Sequence, residues 1–210
     1  TVPGETVNRL CASGMSAIVQ ATRAIRSDEA ELVIAGGVES MSRGPYVISK
    51  AEHAFDTGSK MYDSSFGWRF INPRMTTLYG TESMGQTAEN LAKKYEISRS
   101  EQDVFALQSQ QKAASARQNG RFEIEITPIS IVQRKGNPIL MEQDEFIKPD
   151  TDLEILGRLK PAFDSISGSV TAGNSSGLND GAAAVIVASS AAIGQYELKP
   201  LARIVSSAVT

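Results

Sequence analysis

The chain has 210 residues, 41% hydrophobic and 21% charged, with a formal net charge of −3. This is ordinary globular composition with enough length for a sizeable core, and the balance of charge gives no basis for a nucleic-acid surface. The apolar runs are far too short to span a bilayer, and the single cysteine, Cys11, excludes an intramolecular disulfide framework and suits a reducing compartment.

Residues 5–10 read as a short strand, with Val7 and the stem of Arg9 on one face. Residues 12–26 place Met15, Ile18, Val19, Thr22 and Ile25 at three- and four-residue spacing, which predicts a helix. Its Ala, Ser and Gly opening allows close approach of a ligand or another backbone, and Ser27-Asp28-Glu29 ends it. Leu32-Val33-Ile34-Ala35 reads as a buried strand closed by a turn at Gly36-Gly37. Strand, helix and strand in this order imply a right-handed βαβ unit on a parallel sheet.

From Glu39 to about Gly80 periodicity fades and Met, aromatic, Gly and Pro residues accumulate, which predicts a loop-rich excursion. Residues 83–95 read as a helix with Met84, Leu91 and Ala92 inward. Ser98-Arg99-Ser100-Glu101 is a capping-box signature opening a second helix, with Val104, Leu107 and Ala114 on one side and Gly120 past its end. Glu123 to Val132 alternates as an edge or bulged strand because of Pro128. Lys135-Gly136-Asn137-Pro138 turns the chain, and Ile139 to Glu142 pairs back. Gly181 to Ala188 is another apolar strand, Ser190 is placed to cap a short helix, and Leu201 to Ser207 reads as a last strand. One α/β layer interrupted by an insertion follows: 1–38, the inserted 39–168, a return over 169–199, and a further segment over 200–210. Thr1-Val2-Pro3-Gly4 is an unusual start and the chain stops inside an apparent strand, so a segment of a longer protein is expected.

Two stretches have chemical potential. At the start of a helix, Cys11 meets free N–H groups and the positive end of the dipole; these favour an anionic sulfur and a developing oxyanion, suiting attack on a thioester or acyl group. Taken alone, a single cysteine is more often a small buried hydrophobe. The run from Val170 to Gly181, Val-Thr-Ala-Gly-Asn-Ser-Ser-Gly-Leu-Asn-Asp-Gly, offers an open backbone with many hydrogen-bonding groups, along which a pantetheine arm of amides fits; alone it reads as a turn. His53 and Cys11 have no companions at metal-ligand spacing, and Gly36-Gly37 lacks the dinucleotide fingerprint. Arg69, Arg74 and Lys148 are available for phosphates or a carboxylate, although solvated charge is the commoner role. Met61, Met75 and Met84 are more often packing residues.

Val7-Asn8-Arg9-Leu10-Cys11-Ala12-Ser13-Gly14 resembles the active-site signature of thiolases, the acetyl-CoA acyltransferases. The resemblance continues through Ala35 to Ser42, Thr87-Ala88-Glu89-Asn90, Ser109 to Ala113, Leu159 to Phe163 and the 170–184 stretch, all in family order. It implies an α/β thiolase fold, a βαβαβ half with an inserted loop domain. It also implies that Cys11 is the acyl-carrying nucleophile, with its own N–H contributing to an oxyanion hole. By the same resemblance Ser176 bonds the pantetheine, Phe163 and Leu178 line the CoA groove, Met84 shapes the acyl pocket and Lys148 meets the CoA phosphates. Gly67-Trp68-Arg69-Phe70-Ile71-Asn72-Pro73 with Tyr79-Gly80 and Ser83-Met84 is most similar to thiolases of β-ketoadipyl-CoA and related aromatic-degradation routes, for which Arg69 or Arg74 is a candidate partner of a second carboxylate.

The resemblance implies thiolytic cleavage of a 3-oxoacyl-CoA by CoA, or the reverse condensation, with CoA as substrate, no bound cofactor and no metal. The partners expected are acyl-CoA and CoA, with neither nucleic acid nor membrane, in a cytoplasmic homodimer or homotetramer. The family's Asn-Glu-Ala-Phe and Gly-His-Pro segments and its second cysteine do not occur in this sequence, and Ser83 stands where short-chain biosynthetic members often carry His. Covalent catalysis needs an adjacent base, so the 210 residues alone are expected to be inactive. A catalytically silent acyl-CoA- or lipid-binding relative is the alternative, and a ketosynthase ranks last.

Overall fold

The computed structural model describes residues 2–209. Two compact units form. One holds the chain up to Pro45 and from Asn179 onward; the other is Tyr46–Leu178.

The first unit is built on helix α1 (Ser13–Arg26) and strands β1 (Leu32–Glu39) and β6 (Gly181–Ala188), with helix α6 (Ser190–Gln195) beyond. β1 and β6 run antiparallel over their full length, from Leu32 opposite Ala188 to Glu39 opposite Gly181. Ala21 on α1 and Ala35 on β1 are buried, so helix and sheet meet through small side chains that let their backbones come close. The expected strand over residues 5–10 does not form, and with it falls the expected parallel βαβ pairing. Side-chain oxygens take the backbone donors there: Asn8 Oδ1 accepts from Leu10 N–H and Ser13 Oγ accepts from Arg9 N–H, which removes them from any ladder.

Gly36 and Gly37 lie inside β1 rather than closing it. A Cβ on Gly36 would stand 2.4 Å from Ala183 O and 2.9 Å from Ala184 Cα, so glycine here permits close strand pairing, not a turn. The expected strand over Leu201 to Ser207 is also absent. Arg26 Nη2 donates instead to the carbonyls of Ile204 (2.9 Å) and Val205 (3.0 Å), binding that extended segment to the end of α1. The cap of α6 is Ser189, one residue earlier than expected, whose Oγ accepts from Ala192 N–H at 3.0 Å.

The second unit contains hairpin β2–β3 (Tyr46–Ile48 with Met61–Asp63), helices α2 (Pro73–Tyr79), α3 (Met84–Lys94) and α4 (Arg99–Gln118), hairpin β4–β5 (Ile129–Ile131 with Ile139–Met141) and the short α5 (Leu153–Gly157). Only Ile129–Ile131 of the alternating 123–132 stretch is strand; residues 121–125 turn first. α4 opens with the expected capping box, Glu101 N–H donating to Ser98 Oγ and Ser98 N–H to Glu101 Oε2. It closes in a Schellman motif, with Arg121 N–H donating to Ala116 O, Gly120 N–H to Arg117 O, and Gly120 at φ +69°. α1 and α3 close in the same way but with Asp28 and Glu96 in the left-handed position, and at the end of α6, with Glu197 left-handed, Leu198 N–H donates to Ile193 O. The face of α3 that turns inward carries Gly85 and Glu89, whereas Met84 and Leu91 are exposed. On α4 the buried residues are Asp103 and Ala114, and Val104 is exposed. Two carboxylates therefore sit where the apolar pattern predicted packing.

Candidate active site: a pinned cysteine turn and a hydroxyl-rich loop

Cys11 is exposed, in no disulfide, and lies two residues before the first residue of α1. The chain reaches it through a tight turn. Ala12 N–H donates to Arg9 O and Ser13 N–H to Leu10 O, both at 3.0 Å. Leu10, immediately before the cysteine, sits at φ +49°, a left-handed conformation unfavourable for a side chain with a Cβ. Its surroundings hold it there. Asn8 Oδ1 accepts from Leu10 N–H at 2.9 Å; Ser13 Oγ accepts from Arg9 N–H at 2.8 Å and donates to Leu10 O at 2.7 Å. Asn8 Oδ1 is a longer 3.3 Å from the same hydroxyl, whose single proton is better placed on Leu10 O. The turn thus aims Cys11 outward at the positive end of a 14-residue helix with no acidic residue in its first turn. Neither Asn8 nor Ser13 stood out as a functional residue in the sequence; the available signal was two short side-chain hydrogen-bonders flanking the lone cysteine.

In the Tyr46–Leu178 unit, the other site residues form two groups. Phe163 lies against Gly85: a Cβ on that glycine would fall 2.2 Å from the ring, so the aromatic side chain occupies the space beside Met84. Lys148 belongs to the second group with Ser176 and Leu178. Its N–H donates to Gln110 Oε1 at 2.7 Å, while Gln110 Nε2 donates to Phe146 O at 3.2 Å, so one amide on α4 holds both sides of residue 147. The Phe146 ring lies on Gly177, 2.1 Å from where a Cβ would stand, between Ser176 and Leu178. Lys148, Ser176 and Leu178 are exposed. Gln110 and Phe146 were missed as individual residues, because their roles come from main-chain contacts rather than from their own chemistry.

The loop leading to Ser176 is held from its buried side. Glu89 Oε1 accepts from Ser169 N–H (2.9 Å) and Val170 N–H (2.8 Å), and its Oε2 accepts from Ser169 Oγ (2.9 Å). Gln102 Nε2 donates to Ser169 Oγ at 2.9 Å. Asn174 Oδ1 accepts from Thr171 N–H (2.7 Å), and its Nδ2 donates to Asp103 Oδ1 (3.0 Å) and Ser169 O (2.9 Å). Arg99 Nε pairs with Asp103 Oδ2 at 2.8 Å and its Nη2 reaches Leu156 O and Leu159 O on the α5 side. Thr171 is fully buried and Val170 nearly so. Among the described residues no group of His, Cys, Asp and Glu is arranged to hold a metal ion, and no helix is long and apolar enough to cross a membrane. Arg69 Nη1 turns back to Gly67 O at 3.2 Å, and Arg74 lies in the first turn of α2, where its N–H donates to the Asn72 cap.

The family model described as "Thiolase, N-terminal domain" matches residues 1–191. The chain belongs to the thiolase family. It is 53% identical over 206 residues to a β-ketoadipyl-CoA thiolase of Acinetobacter baylyi, covering 98% of this chain and 51% of that protein. Human mitochondrial 3-ketoacyl-CoA thiolase superposes with a TM-score of 0.76 at 42% identity, covering 93% of this chain and 48% of the human one. A second structure of that human thiolase, in complex with CoA, superposes at 0.74 and 42%, covering 93% of this chain and 47% of that one. The chain therefore has the α/β thiolase fold and spans about half the length of the relatives it matches.

Proposed function

We propose that this chain supplies the nucleophile and a large part of the CoA-binding surface of a 3-oxoacyl-CoA thiolase of the β-ketoadipyl-CoA type. The observation that carries the reading is Cys11 itself: exposed, at the positive end of α1, on a turn whose strained Leu10 is fixed by Asn8 and Ser13. In the proposed reaction the Cys11 thiolate attacks the 3-oxo carbonyl carbon of the substrate. A carbon–sulfur bond forms, and the bond between C2 and C3 breaks. Acetyl-CoA leaves as its enolate and takes up a proton, while the remaining acyl group stays as a thioester on Cys11. The thiolate of CoA then attacks that thioester, forming the shortened acyl-CoA and releasing Cys11. The reverse sequence is the condensation. A proton acceptor and donor for these steps is required, and we propose that the full-length protein provides it and that residues 1–210 alone do not turn over.

Ser176, Leu178 and Phe163 are proposed to line the pantetheine path, Lys148 to meet the CoA phosphates and Met84 to shape the acyl pocket. Their exposure and the grouping of Lys148 with Ser176 and Leu178 support this. CoA is then a substrate and not a bound cofactor, and the enzyme is a cytoplasmic homodimer or homotetramer. The names of the relatives support a dicarboxylic substrate, with Arg69 or Arg74 pairing its distal carboxylate. Brief exposure of the full-length protein to acetoacetyl-CoA, followed by intact-mass measurement, should show an acetyl adduct on Cys11, absent in Cys11→Ser. A protein that binds acetoacetyl-CoA without any adduct would instead be the silent acyl-CoA-binding relative.

A further inference from the structure

The buried carboxylates Glu89 and Asp103 are not used by the chemistry above, yet they receive the hydrogen bonds that tie both ends of residues 169–174 to α3 and α4. We infer that Glu89 and Asp103 are positioning residues for CoA: they fix the loop from Ser169 to Asn174 so that the following Ser176-Gly177-Leu178 is presented in one conformation. The inference rests on the reading of that segment as the pantetheine contact.

The argument is one of conformational freedom. The loop carries Gly168, Gly173 and Gly177 and short hydroxyl residues, a composition that leaves many backbone states open. Its own contacts are turns within the loop: Thr171 Oγ1 accepts from Gly173 N–H (3.2 Å) and Asn174 N–H (3.3 Å), and the Asn174 amide accepts from Thr171 N–H and donates to Ser169 O. What selects one state comes from two helices. Glu89 on α3 takes both N–H groups at the start of the loop, and Asp103 on α4 takes the Asn174 amide at its far end. Both carboxylates are almost completely buried, at 9% and 4% relative exposure, so these bonds are little weakened by competing water. Asp103 is in turn oriented by Arg99, which is itself anchored on Leu156 O and Leu159 O. A ligand arm that binds a pre-ordered backbone need not supply the free energy of ordering it.

Gly168 and Gly173 show how closely the loop is seated. A Cβ on Gly168 would fall 2.8 Å from Glu89 Oε1 and 2.3 Å from Asp164 O, and one on Gly173 would fall 2.4 Å from Leu159 Cδ1. The loop rests directly on the groups that hold it, and Phe146 on Gly177 closes the far side, 2.1 Å from a Cβ position.

The test uses Asn174→Ala and Asp103→Asn in the full-length protein, with CoA as probe in calorimetry and in steady-state thiolysis of acetoacetyl-CoA. Loss of these bonds should raise Kd and KM for CoA about tenfold or more, the scale of releasing one or two hydrogen bonds to a charged group. The yield of acetyl-Cys11 at saturating substrate should stay unchanged, because the turn at Cys11 is untouched. Ser98→Ala, which weakens α4 at its cap, serves as a control for stability loss alone and should leave Kd and KM unchanged. Unchanged CoA affinity in Asn174→Ala, or an equal loss in Ser98→Ala, would overturn the inference, as would a fall in kcat with KM unaltered. Failure of the wild-type protein to bind CoA would overturn the functional reading beneath it, and the two failures are thereby separated.

Discussion

Ser42, just past β1, and Asp180, just before β6, close one end of the β1–β6 pair: Ser42 N–H donates to Asp180 Oδ1 at 2.9 Å and Ser42 Oγ donates to Oδ2 at 2.6 Å, across 138 residues of sequence. The Ser42 hydroxyl, and then its N–H, hold the Asp180 carboxyl below its ordinary value of 3.8, against a smaller opposing effect of burial. A depressed folded-state value means that this contribution to stability is present above pH 3.8 and is lost as pH falls through the lower folded-state value. Carboxyl NMR should place the Asp180 midpoint below 3.8, and Ser42→Ala should move it upward. A midpoint unaffected by Ser42→Ala would show that the pair does not hold the charge.

The Cys11 turn predicts a kinetic defect separate from stability. Ser13→Ala removes the hydroxyl that bridges Arg9 N–H and Leu10 O, and Asn8→Ala removes the acceptor of Leu10 N–H. Displacement of a reacting atom by about 1 Å costs on the order of a hundredfold in rate. Either substitution is expected to slow acetyl-Cys11 formation by about ten- to a hundredfold in quenched-flow mass spectrometry, with CoA affinity retained. Full-rate acylation in both variants would mean that the turn is set by something other than these two side chains.

Gly36 and Gly37 are adjacent and should respond oppositely to alanine. At Gly36 the new methyl meets Ala183 O and Ala184 Cα, both backbone, so the paired strand must shift; the expected loss is about 1–3 kcal/mol. At Gly37 nothing lies within 4 Å, and reduced freedom of the unfolded chain makes alanine neutral or slightly stabilising. Denaturant unfolding of the two variants separates the cases, and equal effects would count against the register.

The helix ends give a further pair. Ser98→Ala removes the side-chain acceptor of the Glu101 N–H, leaving the backbone bond from residue 98 to Glu101 Oε2, and is expected to cost about 1 kcal/mol. Glu96, at φ +53° after α3, is strained by about 1–2 kcal/mol as a residue with a Cβ. Glycine relieves this but loses roughly 0.5–1 kcal/mol in chain entropy, so Glu96→Gly should stabilise by about 0.5 kcal/mol. A clear destabilisation by Glu96→Gly would imply that the side chain is itself important.

Much of the architecture was legible because its signals are local. The capping box at Ser98, the periodicity of α1, the apolar run of β6 and the turn returning Ile139 to Ile131 each depend on a few neighbouring residues. The failures share a cause: side chains competing with or replacing backbone pairing. Asn8 and Ser13 dissolve the expected first strand, and Arg26 takes the carbonyls of the expected last one. Glu89 and Asp103 were hidden because charged residues on amphipathic helices are normally solvated, and their partners lie far away in sequence. The signature around Cys11 was legible, but the hydrogen bonds that fix its turn were not.

The pairing of β1 with β6 also bears on how the molecule is made. Every bond of that sheet joins segments separated by the whole Tyr46–Leu178 unit. In chain order Cys11, α1 and β1 precede the Tyr46–Leu178 unit and β6 follows it, so β1 stays without its partner until β6 has been synthesised. Closing so long a connection from an unfolded chain carries a substantial entropic cost, and formation of the intervening unit reduces it by bringing the distant segments into reach. The Cys11 turn is thus translated long before the sheet of its own unit can be completed.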